Sequence, residues 1–497
     1  MATDSSGSEV DEVFQTPQGD ALPVSKSPGR VSLISTILVL AIVAATLANS
    51  FSSSVSWLAG LAGGASLFLI VFQWRTIPRK LALTLLTILL AAVIGLPFTD
   101  HPLPAIERGI MIGALFVSLM ASVSLIGACA DRSRIIKRVG VDLLAQPSRQ
   151  RYLSFNLTGH VFAAGLSIAG TGILCAMARA GLKTGSPLNE LSPATEVRSI
   201  FSGIHRGFST AICWSPMFGN MALLLAIYPG LDWLDVLPLG LVSALVLTLV
   251  GYGLNRMHTP PSRDSSEFEC NAGATNTTNV LYSIIPVVGA LFVFFGLVLV
   301  LRQLLSTSVP VAIIILAPIT ALTWASLEKF SAMPTTSITV VAHDAFQRFP
   351  SMASEAALFM SAGFASAVLA SALPPTVVAA IAGSVQGNIA GGSLMLMSTI
   401  ILLAFCGVHP VLTSLLLANT LTPLAMGIPT LVHFSAIITG WGIATAASPF
   451  TILSFIISRS ANTTPFEVSL IWNGAYSIVG VLAMALILSG LAAVGAL

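Results

Sequence analysis

The sequence predicts an all-α protein that crosses a membrane many times. Of its 497 residues, 55% are hydrophobic and only 8% are charged, whereas soluble globular proteins carry about 25% charged residues. The apolar residues are gathered into runs that approach the roughly 20 residues a bilayer-crossing helix needs. A soluble enzyme is therefore excluded. We predict a polytopic membrane protein with roughly 11 to 14 membrane segments.

The ends and the charge balance narrow the class further. Residues 1–30 are rich in Ser, Gly, Pro and acidic side chains, which predicts a disordered tail. The first apolar run begins near Val31, too late for a cleavable signal peptide. A net charge of +2 without a basic block predicts no nucleic-acid partner. The five cysteines form no CxxC pair, so neither a disulfide framework nor a metal site is predicted.

Apolar runs and their interruptions suggest the organisation of the chain. Two long stretches, Ile200–Pro229 and Pro410–Ser458, are interrupted by Gly, Pro, Ser and Asn, which predicts broken helices or re-entrant hairpins. We divide the chain into N-terminal helices (31–130), a first repeat (131–256), a polar loop (257–280) and a second repeat (281–497). The candidate single spans are Val31–Asn49, Trp57–Phe72, Leu81–Phe98, Gly109–Cys129, Leu153–Met177, Leu234–Tyr252, Ile284–Leu304, Val309–Leu327, Ala356–Leu373, Ser393–Cys406 and Val468–Leu491.

Positive charge predicts the orientation. Arginine and lysine cluster at 75–80 and at 132–151, and both loops fall on one side if each early span crosses once. Because loops rich in Lys and Arg stay in the cytoplasm, the N-terminal tail is predicted to be cytoplasmic. We expect a multi-pass protein of the cell membrane, the bacterial inner membrane, with the lipid bilayer as its surroundings.

An internal repeat is centred on two Ser-Pro pairs. One copy runs from Gly207 to Pro216 and the other from Gly440 to Pro449, and Gly, an aromatic residue, Ala, Ser and Pro coincide at one offset. Proline removes a helical hydrogen bond, and unwound backbone in a bilayer survives only inside protein or beside a water-filled cavity. Freed amides there can bind an anion and freed carbonyls a cation. Two ordinary kinked helices are the alternative.

A weaker correspondence precedes each pair. His160 leads into residues 166–172, and His409 leads into residues 417–423; both stretches mix apolar with small polar residues. Such a mixture suits the tip of a helical hairpin. Serine and threonine can also bond back to their own helix, so this interpretation remains open.

This layout resembles the ion transporter superfamily, which includes divalent-anion/sodium symporters, citrate transporters and arsenite exporters. The resemblance implies two inverted repeats, each with a hairpin whose tip carries an Asn-Thr motif and a helix broken at proline. It also implies an elevator-like movement and a homodimer. The residues it assigns to substrate or ion binding are Ser167 and Thr171 at the first tip (where Asn is absent), Ser215, Pro216 and Asn220 at the first break, Asn419, Thr420 and Thr422 at the second tip, and Thr445, Ser448 and Pro449 at the second break.

Ionisable residues inside the membrane are few and are functional candidates. Arg206 could grip a carboxylate with two hydrogen bonds, or its side chain could extend to the interface. His160 and His409 could carry protons, or they could be bonded to backbone at helix ends; Pro410 suits a helix start.

These features predict a secondary active transporter for a small anion, di- or tricarboxylate-like, coupled to sodium or protons. No cofactor is expected beyond the coupling ion. The sequence has no HExxH, GxSxG or P-loop motif, so we predict that the protein is not an enzyme. Two alternatives remain open. One is a membrane-embedded glycosyl or lipid-linked transferase or polymerase, and the other is a membrane subunit of a binding-protein-dependent transporter.

Overall fold

The structure is a computed structural model that describes residues 29–51, 56–99, 102–184, 193–258, 269–329 and 338–495. Throughout these segments the regular elements are helical, which confirms the predicted all-α class. The predicted tail (1–30) lies outside the described residues except for its last two. The α-helices, numbered in chain order, are α1 Gly29–Phe51, α2 Ser56–Phe72, α3 Arg79–Gly95, α4 Pro102–Ala130, α5 Arg134–Leu144, α6 Ser148–Thr184, α7 Pro193–Ala211, α8 Gly219–Leu225, α9 Trp233–His258, α10 Glu269–Leu305, α11 Val309–Lys329, α12 Ile338–Arg348, α13 Met352–Ala372, α14 Pro375–Gly383, α15 Ile389–Phe405, α16 Pro410–Thr420, α17 Pro423–Met426, α18 Thr430–Ala447, α19 Ile452–Ser460 and α20 Gly474–Ala493.

Ten helical stretches in the described part of the chain are long and apolar enough to cross a membrane, and α2, α15 and α16 are shorter apolar helices. This agrees with the predicted polytopic architecture. The predicted polar loop (257–280) is partly helical, because α9 continues to His258 and α10 begins at Glu269. Residues 259–268 of that loop lie outside the description.

Helix α6 is a hairpin rather than one span. At Ser167 the backbone leaves helical geometry, with φ 53° and ψ −137°. A Cβ atom built on Gly170 would lie 2.6 Å from the carbonyl oxygen of Phe162, although eight residues of continuous helix cover about 12 Å. The chain therefore reverses at Ser167. The predicted single span Leu153–Met177 is wrong, whereas a hairpin tip at the start of 167–171 is confirmed.

Helices α15 and α16 form the second hairpin. They are joined through Gly407, which has φ +92°, where a residue with a side chain would be strained. Helix α15 runs alongside α18, and the Ser448 hydroxyl donates to the Ala404 carbonyl. The far end of α16 lies beside the start of α18, where the His433 ring meets the Leu421 carbonyl at 2.6 Å. The second tip is therefore near Gly407.

The two Ser-Pro helices, α7 and α18, cross each other. Ser209 Oγ donates to the Gly442 carbonyl at 2.6 Å, and His205 Nε2 lies 3.1 Å from the Thr445 carbonyl. Ser209 and Gly442 are equivalent positions in the two copies of the motif, and the contacts progress in opposite directions along the two helices. The two copies therefore cross antiparallel at equivalent positions, which is the arrangement that inverted repeats predict.

The remaining helices form a scaffold and define one membrane face. Helix α4 packs closely on α13, where Gly109 faces the backbone of Phe364. Ion pairs Arg132–Asp344 and Arg348–Asp131 join the end of α4 to α12. Burial raises the pKa of Asp131, while Arg348 opposes that shift. Helix α5, which carries Arg134, Lys137 and Arg138, lies beside this end. We call this face of the protein the basic side.

Candidate functional site

Ser215 and Ser448 hold each hairpin tip against its broken helix in the same way. Ser215 Oγ donates to the Ala164 carbonyl at 2.7 Å and accepts from the Met217 amide at 3.3 Å. Ser448 Oγ donates to the Ala404 carbonyl at 2.6 Å and accepts from the Phe450 amide at 3.2 Å. Each carbonyl lies three residues before the tip residue, Ser167 or Gly407. The Ser-Pro repeat therefore builds the same joint twice.

Proline explains why the helices stop at these joints. Pro216 and Pro449 have no amide hydrogen. The helices before them end at Ala211 and Ala447, and the chain becomes helical again at Gly219 and Ile452. Both prolines are buried. The unwound backbone between the two half-helices lies inside the protein, where its polar groups need partners. Each break is therefore a place where backbone groups can face a ligand.

At the second break, hydroxyls gather around the freed carbonyls. Thr451 Oγ1 lies 3.0 Å from the Thr445 carbonyl and 2.9 Å from Ser454 Oγ. Ser454 Oγ donates to the Ser448 carbonyl at 2.7 Å and lies 3.2 Å from Ser469 Oγ. The Thr445 hydroxyl itself donates to the Gly442 carbonyl. We call Thr445, Ser448, Thr451, Ser454 and Ser469 the oxygen cluster. Neutral oxygens of this kind are ligands for hard cations.

The first break is filled differently. Trp214 Nε1 donates to His160 Nε2 at 2.9 Å. The proton of the neutral His160 ring is therefore assigned to Nδ1, which lies 2.8 Å from Thr210 Oγ1. Both ring nitrogens of this predicted proton carrier are therefore engaged in its neutral form. The positions equivalent to Thr445, Thr451 and Ser454 are apolar here, namely Ile212, Phe218 and Met221.

Two predicted residues near the first tip are buried with free polar groups. Thr171 lies one turn beyond the tip, and Asn220 lies in the short helix after the break. Neither the Thr171 hydroxyl nor the Asn220 amide nitrogen has a hydrogen-bond partner among the residues described. Buried polar groups are normally satisfied. These two are therefore available to a ligand or to water.

Arg206 lies near the second break rather than the first. Its Nε donates to Asn473 Oδ1 at 2.9 Å, and Nη2 donates to the Trp472 carbonyl at 2.7 Å. Nη1 bonds the Gly251 carbonyl at 3.1 Å and the Tyr152 hydroxyl at 3.3 Å. The guanidinium is only 4% exposed as part of a buried residue, so the alternative in which it extends to the interface is wrong. Arg206 lies about 8 Å along α7 before the end of that helix at Ala211, at about 1.5 Å per residue, and Pro216 follows beyond the turn.

The predicted second tip is misplaced. Asn419 and Thr420 are at the end of α16, about 14 Å along that helix from its first residue, Pro410. Their side chains bond back to the carbonyls of Leu415 and Leu416. Thr422 caps α17 by accepting from the Ala425 amide. The Asn-Thr stretch thus lies away from the second break, because the four-residue turn 406–409 reverses the chain earlier.

His409, the other predicted proton carrier, begins α16. Its Nδ1 accepts from the Val411 amide at 3.2 Å, and Pro410 occupies the first turn. The helix-start interpretation of this histidine is therefore confirmed. Sequence analysis missed Thr451, Ser454, Ser469 and Asn473. Aligning the two Ser-Pro copies would have found the first two, because hydroxyls there replace the apolar Phe218 and Met221.

Comparisons with known proteins agree with this architecture. No family model matches the chain, and no curated protein matches it. One solved structure that is similar is MtrF of Neisseria gonorrhoeae, described as illuminating a class of antimetabolite efflux pumps; it is 13% identical, covers 84% of this chain and 97% of its own, and has a TM-score of 0.51. Another is the YdaH transporter of Alcanivorax borkumensis, which is 15% identical, covers 84% of this chain and 99% of its own, and has a TM-score of 0.53.

At these identities the likeness shows the fold. The chain is a multi-pass membrane protein with a fold found in transporters, and it spans nearly the full length of both similar structures. Membership of the ion transporter superfamily stays a prediction. The description of MtrF as an antimetabolite efflux pump concerns MtrF itself and does not identify a substrate of this protein.

Proposed function

We propose that this protein is a secondary active transporter that moves a small di- or tricarboxylate-like anion across the membrane, coupled to a cation. The observation that carries the proposal is the pair of joints at Ser215 and Ser448, where two hairpin tips dock on two broken helices that cross at Ser209 and Gly442. Inverted repeats with broken helices are the device by which many transporters expose one site to either side.

The moving unit would be the two repeats. A buried ion pair between Arg151 and Glu196, each side chain 3% exposed, ties the first hairpin to the start of α7. Breaking such a pair leaves an uncompensated charge, so these elements are expected to move together. From the positive-inside rule we propose that the basic side and the N-terminus face the cytoplasm, in a bacterial inner membrane. We also propose a homodimer, in which the scaffold helices meet.

Sodium is the coupling ion we favour over protons. The oxygen cluster offers carbonyl and hydroxyl oxygens at a helix break, the kind of ligand set that holds sodium in transporters with unwound helices. The two histidines that could shuttle protons, His160 and His409, are instead engaged in hydrogen bonds. The positive charge of Arg206 would attract an anion on its way through the protein, and the free groups of Thr171 and Asn220 would offer it hydrogen bonds near the first break.

Uptake into proteoliposomes tests the proposal. Purified protein would be reconstituted and given labelled succinate, citrate and related anions under an inward sodium gradient, an inward proton gradient or neither. Each gradient would also be reversed, because MtrF belongs to a class of efflux pumps and transport in this protein could run outward. We expect accumulation of at least one anion driven by sodium. An absence of gradient-driven movement across the panel, in protein that is folded and oriented both ways, would refute the proposal.

The alternatives have less support. A membrane transferase needs polar chemistry in a groove for lipid-linked substrate, and the fold found in two transporter structures favours transport instead. A subunit that receives substrate from a soluble binding protein would share this fold. It would show no uptake in the assay until that protein was added.

A further inference from the structure

A small cavity opens on the basic side, between the start of α7 and the end of α9. Its volume is about 80 Å³. The lining residues of α7 recur every three or four positions, which places them on one face of the helix. Arg206 is at the inner end, and Arg198 and His258 are nearer the mouth. The principal polar groups are Arg198, Ser199, Ser202, Arg206, Asn255 and His258. We call this cavity the arginine pocket.

The charge of the arginine pocket is positive. Among the described residues that line it, Arg198 and Arg206 carry positive charge and none is acidic. Glu196 is turned to Arg151, and Glu467, which is outside the lining, partly offsets the charge of Arg198. All the acceptors around Arg206 are neutral, and the rings of Tyr152 and Tyr476 lie 5.7 and 5.0 Å from its guanidinium carbon. Within the described ranges no carboxylate pairs with Arg206. A buried cation that has only dipolar partners favours an anion nearby.

Two buried hydroxyls complete the pocket. Ser199 and Ser202 are 3% and 2% exposed, and in the part of the chain that the structure describes neither hydroxyl has a hydrogen-bond partner. Both residues line the cavity. Donors that are buried and unsatisfied are unusual. An oxyanion in the pocket would accept from both hydroxyls while its charge offsets that of the two arginines.

We infer that the arginine pocket binds one small oxyanion, a group the size of a carboxylate or phosphate. The volume is several-fold below the roughly 300–1,000 Å³ of sites for whole organic ligands, so the pocket fits one anionic group rather than a large substrate. The guanidiniums of Arg198 and Arg206 supply the charge, and Ser199 and Ser202 donate hydrogen bonds. The further claim, that this oxyanion belongs to the transported molecule on the cytoplasmic side, rests on the proposed function.

A buried chain of hydrogen bonds connects the pocket to the second break. Arg206 donates to Asn473, whose amide nitrogen lies 3.2 Å from His205 Nδ1. The other nitrogen of that ring lies 3.1 Å from the Thr445 carbonyl, which belongs to the oxygen cluster. An anion that bound Arg206 would therefore affect, through Asn473 and His205, the hydrogen bond to the Thr445 carbonyl of the oxygen cluster. Because such coupling is reciprocal, sodium and the oxyanion are expected to change each other's affinity by the same factor.

Calorimetric titration of the purified, delipidated protein tests the pocket. The probes are inorganic phosphate and succinate, as potassium or sodium salts at fixed ionic strength. We expect saturable binding that Arg198→Gln weakens by about tenfold, since it removes a charge-assisted donor, and that Ser202→Ala weakens by a few-fold. Arg198 is half-exposed, so its variant should fold. Arg256→Gln is the matched control: it removes an exposed arginine of α9 next to Asn255, and we expect less than about a twofold change.

Three outcomes would overturn the assignment. They are a wild-type protein with no saturable binding, an Arg256→Gln variant as weak as Arg198→Gln, and an Arg198→Gln variant that binds like wild type. Repeating the titration in nanodiscs of neutral lipid, with and without anionic lipid, separates the sources of the oxyanion. Competition by anionic lipid that Arg198→Gln abolishes would assign the pocket to a lipid headgroup and overturn its role in transport.

The same variants separate the pocket from the proposed function. If the wild type shows gradient-driven uptake but Arg198→Gln leaves phosphate binding unchanged, the proposed pocket is wrong and the proposed transporter function stands. If binding depends on Arg198 but the protein moves no anion under any gradient, the proposed pocket stands and the proposed transporter function is wrong.

Discussion

The two repeats share a backbone device and differ in the side chains that surround it. In both, a serine before proline binds the carbonyl three residues ahead of a tip residue with positive φ, Ser167 or Gly407. Around the first break, His160, Thr210 and Trp214 form a fixed aromatic and imidazole contact. Around the second, the oxygen cluster takes the equivalent space.

This difference separates what the fold needs from what coupling needs. Glycine, serine and proline recur at equivalent positions because both joints need the same close approach and the same break. The hydroxyls of Thr445, Thr451 and Ser454 in the second repeat have no counterparts in the first. The equivalent residues there are the apolar Ile212, Phe218 and Met221. Apolar side chains cannot ligate a cation. If the protein couples to sodium, the second break offers hydroxyl ligands that the first break lacks at these positions.

The largest effects are expected where the two repeats are most alike. Gly207 and Gly440 are equivalent, and each lies against its own hairpin: an added Cβ would be 2.3 Å from the Asn156 carbonyl oxygen in the first repeat and 2.9 Å from Met397 Cα in the second. We expect Gly207→Ala to destabilise by about 3 kcal/mol and Gly440→Ala by about 1 kcal/mol, the range for overpacking. Thermal unfolding in detergent measures both.

Gly253→Ala is the control for this pair, because nothing lies within 4 Å of an added Cβ there. It should leave stability unchanged or raise it slightly, since alanine favours helix over glycine by about 1 kcal/mol. If Gly207→Ala proved as stable as Gly253→Ala, the close contact between α7 and the first hairpin would be wrong.

An intermediate effect is expected at the fixed contact of the first break. His160→Phe keeps a ring but leaves Trp214 Nε1 without its acceptor and removes the donor to Thr210 Oγ1, which should cost about 1–3 kcal/mol of stability. The Thr210 hydroxyl keeps its own hydrogen bond to the Gly207 carbonyl. His160→Gln can restore both bonds and should recover part of that loss. The pH dependence of uptake should be the same in wild type and His160→Gln. A pH profile that flattens in a folded His160→Gln protein would instead assign a proton to His160.

The smallest effect is expected at the predicted second tip. Asn419→Ala and Thr420→Val remove bonds that run only to their own helix, so stability should change by about 0.5 kcal/mol. Uptake should stay within about twofold of wild type, as expected for residues whose groups are satisfied locally. If uptake, measured at about one-tenth of the saturating anion concentration, fell tenfold or more, these residues would belong to the binding site after all.

The sequence predicted the helices and their breaks better than it predicted the contacts of the side chains. Length and hydropathy identify the spans, and the recurrence of Gly, Ser and Pro identified both breaks, because each of those residues has a backbone reason to be there. The tip at Ser167 followed from small polar residues in an apolar run. The second tip was missed because Gly407 lies in a short turn, while Asn419 and Thr420 have the composition of a tip and yet bond within α16.

Contacts across the chain were beyond the sequence pattern. In the sequence Arg206 precedes the first break, but α7 crosses α18 antiparallel and brings this residue beside Asn473. The arginine pocket likewise depends on α9 returning to the start of α7. Sequence spacing describes one face of one helix and carries no information about which helix it meets.

The central claim is that the second break, and not the first, binds the coupling cation, and sodium-induced stabilisation of the purified protein tests it most directly. A ligand that binds only the folded state raises stability in proportion to the logarithm of its concentration over its Kd. Sodium should raise the unfolding temperature above that in potassium at equal ionic strength. Thr451→Val should abolish the increase, while Met221→Leu at the first break should keep it. An unchanged sodium response in a folded Thr451→Val protein, or a wild type that does not distinguish sodium from potassium, would contradict the claim.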